Sequence, residues 1–389
     1  MRLRRVLLVA FLFAPPRLAG ADAWIAARAD LSSKTSPALA AFPQVGGLLQ
    51  LCKIHGRLDR IEFAVGGGKL TLRAQGRLSP ADVGCIVGTA PDEHGSLAKG
   101  GPRIVAERGG VVLFTPGGEA VVRGRLAARL AAGKRSPVAI AFALEGADGL
   151  LTLDRRGGTL HVHLGTRTGL APAVQAIRNA GGRGMKVDAR GTDITVRSSS
   201  PEGLVRVARA AFLDLVPVSG GSMRPTLGVG EVALILKKPI AGPARPGDVV
   251  FYNDPDAPVT QVKRVLALAG ERIQVEGHRL VVNGEKVEAF ARNQAFVYED
   301  GEGQTTGQLW REKLGDTEWN TLLAPTPADA PRVDLVVPKG TLYVLGDNRD
   351  ASRDSRHTGP AAFAAVLGRA VMIAWAPLSR WQRIGQTIR

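Results

Sequence analysis

The chain has 389 residues, enough for two or three domains with cores of their own. Its formal net charge is +16, a balance that suits nucleic acid, an anionic membrane or an acidic partner. No block of Lys and Arg and no basic patch interleaved with aromatic residues appears, which argues against nucleic acid as a partner. The start of the chain reads as an export signal. Arg2, Arg4 and Arg5 form a positive n-region, Val6 to Ala14 is a short apolar core, and Pro15-Pro16 ends it. Ala19-Gly20-Ala21 and Ala21-Asp22-Ala23 offer small residues for cleavage. The apolar core is shorter than the roughly 20 residues of a membrane span, so residues 1–23 read as a signal peptide or a short N-terminal anchor, and both remain open. No other stretch is long and apolar enough to span.

Cys52 and Cys85 are the two cysteines. In an exported protein an even pair suits a disulfide, and two buried thiols are the alternative. Neither lies in a motif that would make it a nucleophile. Residues 24–200 are expected to form an α+β domain built of hairpin–helix units. Arg60–Val65 and Lys69–Ala74 flank Gly66-Gly67-Gly68, and Ser79-Pro80 starts a helix. Gly149–Asp154 and Thr159–Leu164 flank Gly157-Gly158 before a helix from about Leu170. Met185–Ala189 and Asp193–Arg197 flank Arg190-Gly191 before Ser200-Pro201. A poorer copy is expected from Val111–Phe114 and Ala120–Val122 around Gly117-Gly118. Such a domain suits binding or scaffolding. His161 and His163 share one strand face, but too few partners accompany them for a metal site.

Residues 201–215 are expected to form an amphipathic lead-in helix. Leu204, Val207, Ala208, Ala211, Phe212 and Leu215 recur at helical spacing, with Arg206, Arg209 and Asp214 elsewhere on the wheel. That face can pack on the N-terminal domain or lie in a membrane interface. The expectation carried forward is that Phe212 and Leu215, with Leu215-Val216-Pro217-Val218, dock the domain that follows on anionic lipid. From Val216 to Arg389 the pattern turns to strands. Val232–Leu236, Asp248–Tyr252, Val259–Leu268, Arg272–Glu276, Arg279–Val282, Thr341–Leu345 and Val366–Trp375 are short, β-branched and bounded by turn residues. Asn283-Gly284 is a hairpin signal. Residues 288–337 are polar and read as an insertion.

Three stretches of this second half carry chemistry. Gly220-Gly221-Ser222-Met223-Arg224-Pro225-Thr226-Leu227 sets a serine after two glycines and before a stiffening proline. Val262-Lys263-Arg264-Val265 lies on an apolar strand, so Lys263 and Arg264 face opposite sides. Gly346-Asp347-Asn348-Arg349-Asp350-Ala351-Ser352-Arg353-Asp354-Ser355-Arg356 follows another strand. A serine hydroxyl is a poor nucleophile until a base takes its proton, and a lysine can serve only when burial keeps it neutral.

In this order the three stretches resemble the type I signal peptidases, serine–lysine endopeptidases that remove signal peptides from exported proteins. The resemblance runs from about Leu204 to Trp375. It implies a mainly antiparallel all-β catalytic domain over residues 216–389, with a variable insertion at 288–337. It implies Ser222 as nucleophile, Lys263 as general base, the Ser222 N–H in the oxyanion hole and Ser352 orienting the lysine amine. Asp354 is expected to stabilise the loop with Arg356, and Arg264 to be structural, paired with Asp347. Arg349 and Asp350 are read as scaffold. No metal or organic cofactor is implied. The expected partners are signal peptides of exported preproteins and the membrane surface. The expected location is the cell envelope, at the outer face of the cytoplasmic membrane or in the periplasm.

The chain departs from the resemblance at several points. It lacks an evident membrane anchor just before the catalytic domain. Gly220 stands where some members carry an oxyanion serine, and Gln261 where many carry an aromatic residue. His357 invites a Ser–His–Asp reading, but the lysine layout explains more residues. Two rivals stay open: a specialised soluble processing protease for a few exported substrates, and a non-enzymatic peptide-binding module. A self-cleaving repressor would need a DNA-binding segment and fits poorly.

Overall fold

The computed structural model describes residues 24–31, 51–87, 102–115, 136–300, 303–324 and 331–388, together with Asp92 and Leu97, apart from 55, 67, 68, 145, 146, 155, 182, 183, 256 and 258 within those ranges. The proposed export signal at 1–23 lies outside the described residues. Contacts divide the chain into two compact units, residues 1–215 with 372–387, and residues 216–371 with 388–389. Both consist mostly of antiparallel β-sheet with few helices.

The first unit holds strands β1 (Trp24–Asp30), β2 (Leu58–Gly66), β3 (Lys69–Gly76), β4 (Arg103–Glu107), β5 (Gly110–Phe114), β6 (Val138–Leu144), β7 (Ala147–Asp154), β8 (Gly157–Leu164), β9 (Lys186–Arg190) and β10 (Asp193–Ser198). They form one ten-stranded sheet in the order β4-β5-β3-β2-β1-β6-β7-β8-β10-β9. Helices α1 (Pro80–Val87), α2 (Leu170–Ala180) and α3 (Pro201–Ala211) belong to the same unit. Period-two patterning makes the sheet amphipathic: Ala147, Leu151 and Leu153 of β7 are buried, while Asp148, Leu150 and Thr152 are half-buried. Cys52 and Cys85 are bonded, with Cα atoms 5.8 Å apart, a separation that suits a disulfide.

Two expectations are corrected in this unit. Val111–Phe114 was expected to pair forward with Ala120–Val122. It pairs instead with β3 and with β4, through the tight turn at Arg108-Gly109, where Gly109 has φ 85°. Ala120–Val122 lies outside the described residues. The lipid-docking helix is also corrected. Ser200 caps α3, accepting from the Gly203 N–H at 3.0 Å, and Pro201 opens it, as the Ser-Pro signal predicts. Its apolar face is already used: the helix packs on α2, β8 and β10. The helix also stops short of 215: it ends at Ala211, Phe212 caps it and is fully buried, and Leu215 is buried on the strand that follows. A face enclosed in this way has no apolar surface left for a bilayer. No described helix is long and apolar enough to cross a membrane.

The chain passes from the first unit to the second inside β11 (Leu213–Pro217). The strands that follow are β12 (Val232–Lys237), β13 (Val249–Tyr252), β14 (Gln261–Leu268), β15 (Arg272–Glu276), β16 (Arg279–Val282), β17 (Glu285–Lys286), β18 (Glu288–Asp300), β19 (Gly303–Leu314), β20 (Thr317–Leu323), β21 (Val333–Val336), β22 (Thr341–Leu345), β23 (Ala361–Ala362) and β24 (Val366–Trp375). The main sheet runs β11-β12-β24-β13-β14-β22-β23, and a smaller one runs β17-β16-β15-β21. Asn283 and Gly284 both take positive φ, 51° and 84°, and close the two-residue turn between β16 and β17. Residues 288–337 are more than a polar excursion: β18, β19 and β20 form a three-stranded antiparallel sheet, and β21 joins β15. Strand β14 lies between β13 and β22, so Val262 to Ala267 are all buried. That central position lets the fold bury a lysine and an arginine side by side in sequence on opposite faces.

Candidate active site

Ser222 sits in a single helical turn, Gly221–Met223. The Arg224 guanidinium folds back over Gly221, 2.5 Å from where a Cβ would sit. The turn is pinned from the third motif. The Asn348 N–H donates to the Ser222 carbonyl at 3.0 Å, and Asn348 Nδ2 donates to the Gly221 carbonyl at 3.2 Å. These bonds fix the backbone of the serine without engaging its hydroxyl.

Lys263 reaches that hydroxyl. Its Nζ is 2.9 Å from Ser222 Oγ and 3.0 Å from the Val262 carbonyl. The residue is 2% exposed. Register pairs it with Val250 of β13, on the face where Val250, Tyr252, Val265, Leu342, Val344 and Val366 form an apolar cluster. Burial there disfavours the ammonium and brings the amine down to about 8, against the opposing pull of Asp354, Asp347 and Asp254. A substantial neutral fraction therefore exists at mildly alkaline pH, which a proton acceptor for Ser222 requires.

Arg264 faces the other way. Its Nε and Nη2 grip Asp347 at 2.8 and 2.6 Å, and Nη1 donates to the Gly247 carbonyl at 2.6 Å. Neither side chain of the pair is exposed. Thr226, four residues after the serine, donates its hydroxyl to Asp347 Oδ2 at 2.5 Å. The first, second and third motifs thus meet at one carboxylate.

The Gly346–Arg356 loop is charge-dense, and most of it is buried, though Ala351 and Arg353 are exposed. Arg356 Nε and Nη2 donate to Asp354 at 2.8 and 2.9 Å, and the Gly346 N–H donates to Asp354 Oδ2 at 2.9 Å. Burial works against the Asp354 carboxylate, yet the Arg356 hydrogen bonds and charge hold it below the usual carboxylate range. Ser352 is buried against Gly346. Its Oγ helps hold the Asp354 carboxylate down, and no hydrogen bond joins it to Lys263 among the described residues. At Gly346 a Cβ would come 2.2 Å from Ser352 Oγ and 2.6 Å from the Ser222 carbonyl. Only glycine lets the two serines approach the loop backbone this closely. His357 lies 3.9 Å from Asp354 through Nδ1, and no hydrogen bond joins it to Ser222 among the described residues. Gln261 Nε2 turns back to the Val259 carbonyl at 3.0 Å. Around Gly220 a Cβ would meet nothing within 4 Å. In the other unit, His161 and His163 are exposed and bonded through Nδ1 to Thr195 and Asp193 at 2.9 and 3.0 Å.

Sequence reasoning missed several residues that hold this site. Glu312 of β19 accepts both terminal nitrogens of Arg349, with Nη1 at 2.6 Å from Oε1. Trp319 of β20 lies under the Arg264 guanidinium, 5.2 Å from ring centroid to Cζ. Asp350, read as scaffold, accepts from His278 Nε2 at 2.9 Å and from the Ala324 N–H at 2.8 Å. Nothing local marks Glu312 or Trp319, since each meets its arginine only through tertiary pairing.

A serine hydroxyl bonded to a buried, weakly basic lysine, with paired charges behind it, suits a hydrolase. The comparisons give that class its family. A family model described as signal peptidase, peptidase S26, matches residues 200–375, and the chain belongs to that family. Signal peptidase I of Bacillus caldolyticus is 32% identical over 161 residues, covering 41% of this chain and 77% of that protein. Signal peptidase I V of Bacillus subtilis is 32% identical over 170 residues, 42% of this chain and 86% of that protein. Signal peptidase I of Pseudomonas fluorescens is 32% identical over 172 residues, covering 40% of this chain, and the matched region spans 58% of that relative's length. A solved signal peptidase I from Enterococcus faecalis overlaps 33% of this chain and 96% of its own at 24% identity, with a TM-score of 0.21 that carries no argument about fold.

Proposed function

We propose that the protein is a serine endopeptidase that cleaves signal peptides from exported preproteins after small residues. The observation that carries this reading is the 2.9 Å contact between Lys263 Nζ and Ser222 Oγ at a lysine brought down to about 8 by burial. Neutral Lys263 takes the Ser222 proton as the hydroxyl attacks the scissile carbonyl. The Ser222 N–H receives the oxyanion, and the lysine returns the proton to the leaving amine. Water then hydrolyses the acyl-enzyme by the same route. Ser352, buried against Gly346, orients the lysine amine during this cycle. Arg264–Asp347 and Asp354–Arg356 hold the strands and loop that carry these groups.

The reaction is proposed to run at the outer face of the cytoplasmic membrane or in the periplasm, where signal peptides emerge. The N-terminal α+β unit, read as hairpin–helix modules over residues 24–200, serves as a binding or scaffolding domain, and the catalytic domain begins at residue 216. A narrower reading, a processing protease for a few exported substrates away from the bilayer, is favoured by the enclosed apolar face of α3. The test uses the full chain and a signal-peptide substrate, with and without anionic vesicles. Ser222→Ala and Lys263→Ala are expected to lower the rate by at least about 10³-fold with folding intact. His357→Ala is expected to change it less than about tenfold. An active Lys263→Ala beside an inactive His357→Ala defeats the assignment. A rate indifferent to vesicles supports the narrower reading.

A further inference from the structure

One arginine from each of the three motifs, Arg224, Arg264 and Arg349, is met by a residue of the segment Glu288–Leu323. Arg224 of the serine turn lies over the Tyr298 ring at 6.0 Å, and the Tyr298 hydroxyl donates to buried Glu231 at 3.3 Å. Arg264 lies over Trp319 at 5.2 Å. Arg349 is gripped by Glu312, whose Oε2 also accepts from Trp319 Nε1 at 3.0 Å and whose Oε1 accepts from Thr321 Oγ1 at 3.4 Å. Glu312 and Arg349 are 3% and 2% exposed. A buried carboxylate satisfied on every side is a rigid fixture, because moving it would strand unpaired charge.

Arg349 passes that constraint to the site. Its Nε donates to the Gly346 carbonyl at 3.1 Å, and its own carbonyl accepts from Arg356 Nη2. The Gly346 N–H is held by Asp354. The residue against which Ser352 and the Ser222 carbonyl are packed is therefore clamped at both its N–H and its C=O. Both clamps come from the loop itself, and Glu312 of β19 holds the arginine that makes the second. Strand β20 adds a second tie, through the Leu322 N–H to the Asp347 carbonyl at 2.8 Å.

We infer that Glu312 is a positioning residue for the serine–lysine pair, acting through Arg349 on Gly346, and that the three-stranded sheet β18–β20 is the scaffold of the site rather than a passive insertion. This inference rests on the proposed hydrolytic reaction, and its consequence is specific. Weakening Glu312 should disturb where Ser222 and Ser352 sit while leaving the peptide-binding surface alone. A misplacement of about 1 Å costs on the order of 10²-fold in rate. KM should change little.

The experiment compares Glu312→Gln, which keeps the shape and removes the charge, with Trp319→Phe, which removes the indole donor to Glu312 and keeps an aromatic ring under Arg264. Arg311→Ala serves as the control, because Arg311 is half-exposed and pairs at 3.3 Å with exposed Glu318. Glu312→Gln is expected to lower kcat roughly 30–100-fold with KM within about twofold, Trp319→Phe roughly 3–10-fold, and Arg311→Ala not at all. Amide hydrogen exchange in the full chain gives a reading independent of turnover. In Glu312→Gln the Gly346 and Asn348 N–H groups should lose at least about tenfold protection while the Val265 N–H, bonded to Asp248, keeps its own. Wild-type kcat in both variants overturns the inference, and so does a uniform loss of protection that includes Val265. If the wild type shows no Ser222-dependent hydrolysis, the functional reading fails, and the exchange comparison still decides the role of Glu312.

Discussion

Two arginine–aspartate pairs of the second unit have nearly the same geometry and opposite settings. Arg264 meets Asp347 through Nε and Nη2 at 2.8 and 2.6 Å, and Arg272 meets Asp334 through the same nitrogens at 2.8 and 2.9 Å. The first pair has no exposed side-chain surface, while Arg272 and Asp334 are 61% and 45% exposed. The arginines stand eight positions apart, on neighbouring strands in sequence. Hydrogen-bond distances do not distinguish them. What differs is the alternative each group has when its partner is lost: water for Asp334, and an uncompensated charge in the core for Arg264. The motif residues of this protein are the charges that were taken inside, and the site depends on their pairing being complete.

Removing one acid from each pair breaks the comparison most strongly. Asp347→Asn is expected to destabilise the second unit by about 3–5 kcal/mol, because it leaves Arg264 buried with a neutral partner. It should also abolish activity, since Thr226 and Arg264 both lose their anchor. Asp334→Asn should leave the melting temperature and the activity within error, because its arginine is already solvated. Denaturant melts of the two variants check both outcomes. Equal losses would mean that burial is not what separates the pairs.

Lys263 sharpens the point because it is a buried charge without a full partner. Its amine is lowered from 10.5 to about 8 by burial. The unfolded chain therefore binds a proton more readily than the folded one between those values. Below about pH 8 the folded state carries the whole cost, roughly 3 kcal/mol, and the cost fades as pH rises toward 10.5. Lys263→Met is thus expected to be more stable than the wild type at pH 7, with the difference closing by about pH 10.5. Thermal melts at the two pH values measure it, and a variant less stable at pH 7 contradicts the account.

Much of the second unit was legible because its signals are local. Asn283-Gly284 required a tight turn, period-two patterning set Lys263 and Arg264 on opposite faces of β14, and the Gly-Asp-Asn-Arg-Asp order marked a loop. The structure shows the Arg264–Asp347 and Asp354–Arg356 pairings that this reading expected. Other features had no local mark. Glu312 looks like any charge on a polar strand, and only the pairing of β19 with β20, together with the tie from β20 to the loop, brings it under Arg349. Phe212 and Leu215 are as apolar as a lipid-facing stripe would be, and periodicity alone cannot say whether protein or bilayer covers them. Ser352 lies buried against Gly346 with its hydroxyl acting on Asp354, a detail set by side-chain rotation that sequence does not encode.

The central claim is that a lysine made weakly basic by burial takes the proton of Ser222, and a pH–rate profile tests it most directly. With the full chain and a signal-peptide substrate, log kcat/KM should climb from pH 6 with a slope near one. It should level off above the apparent pKa of the free enzyme, near the value of about 8 expected for Lys263. Only the neutral amine accepts a proton, so activity must be lost on the acid side. A profile flat from pH 6 to 10, or one that falls across that range, would contradict the account.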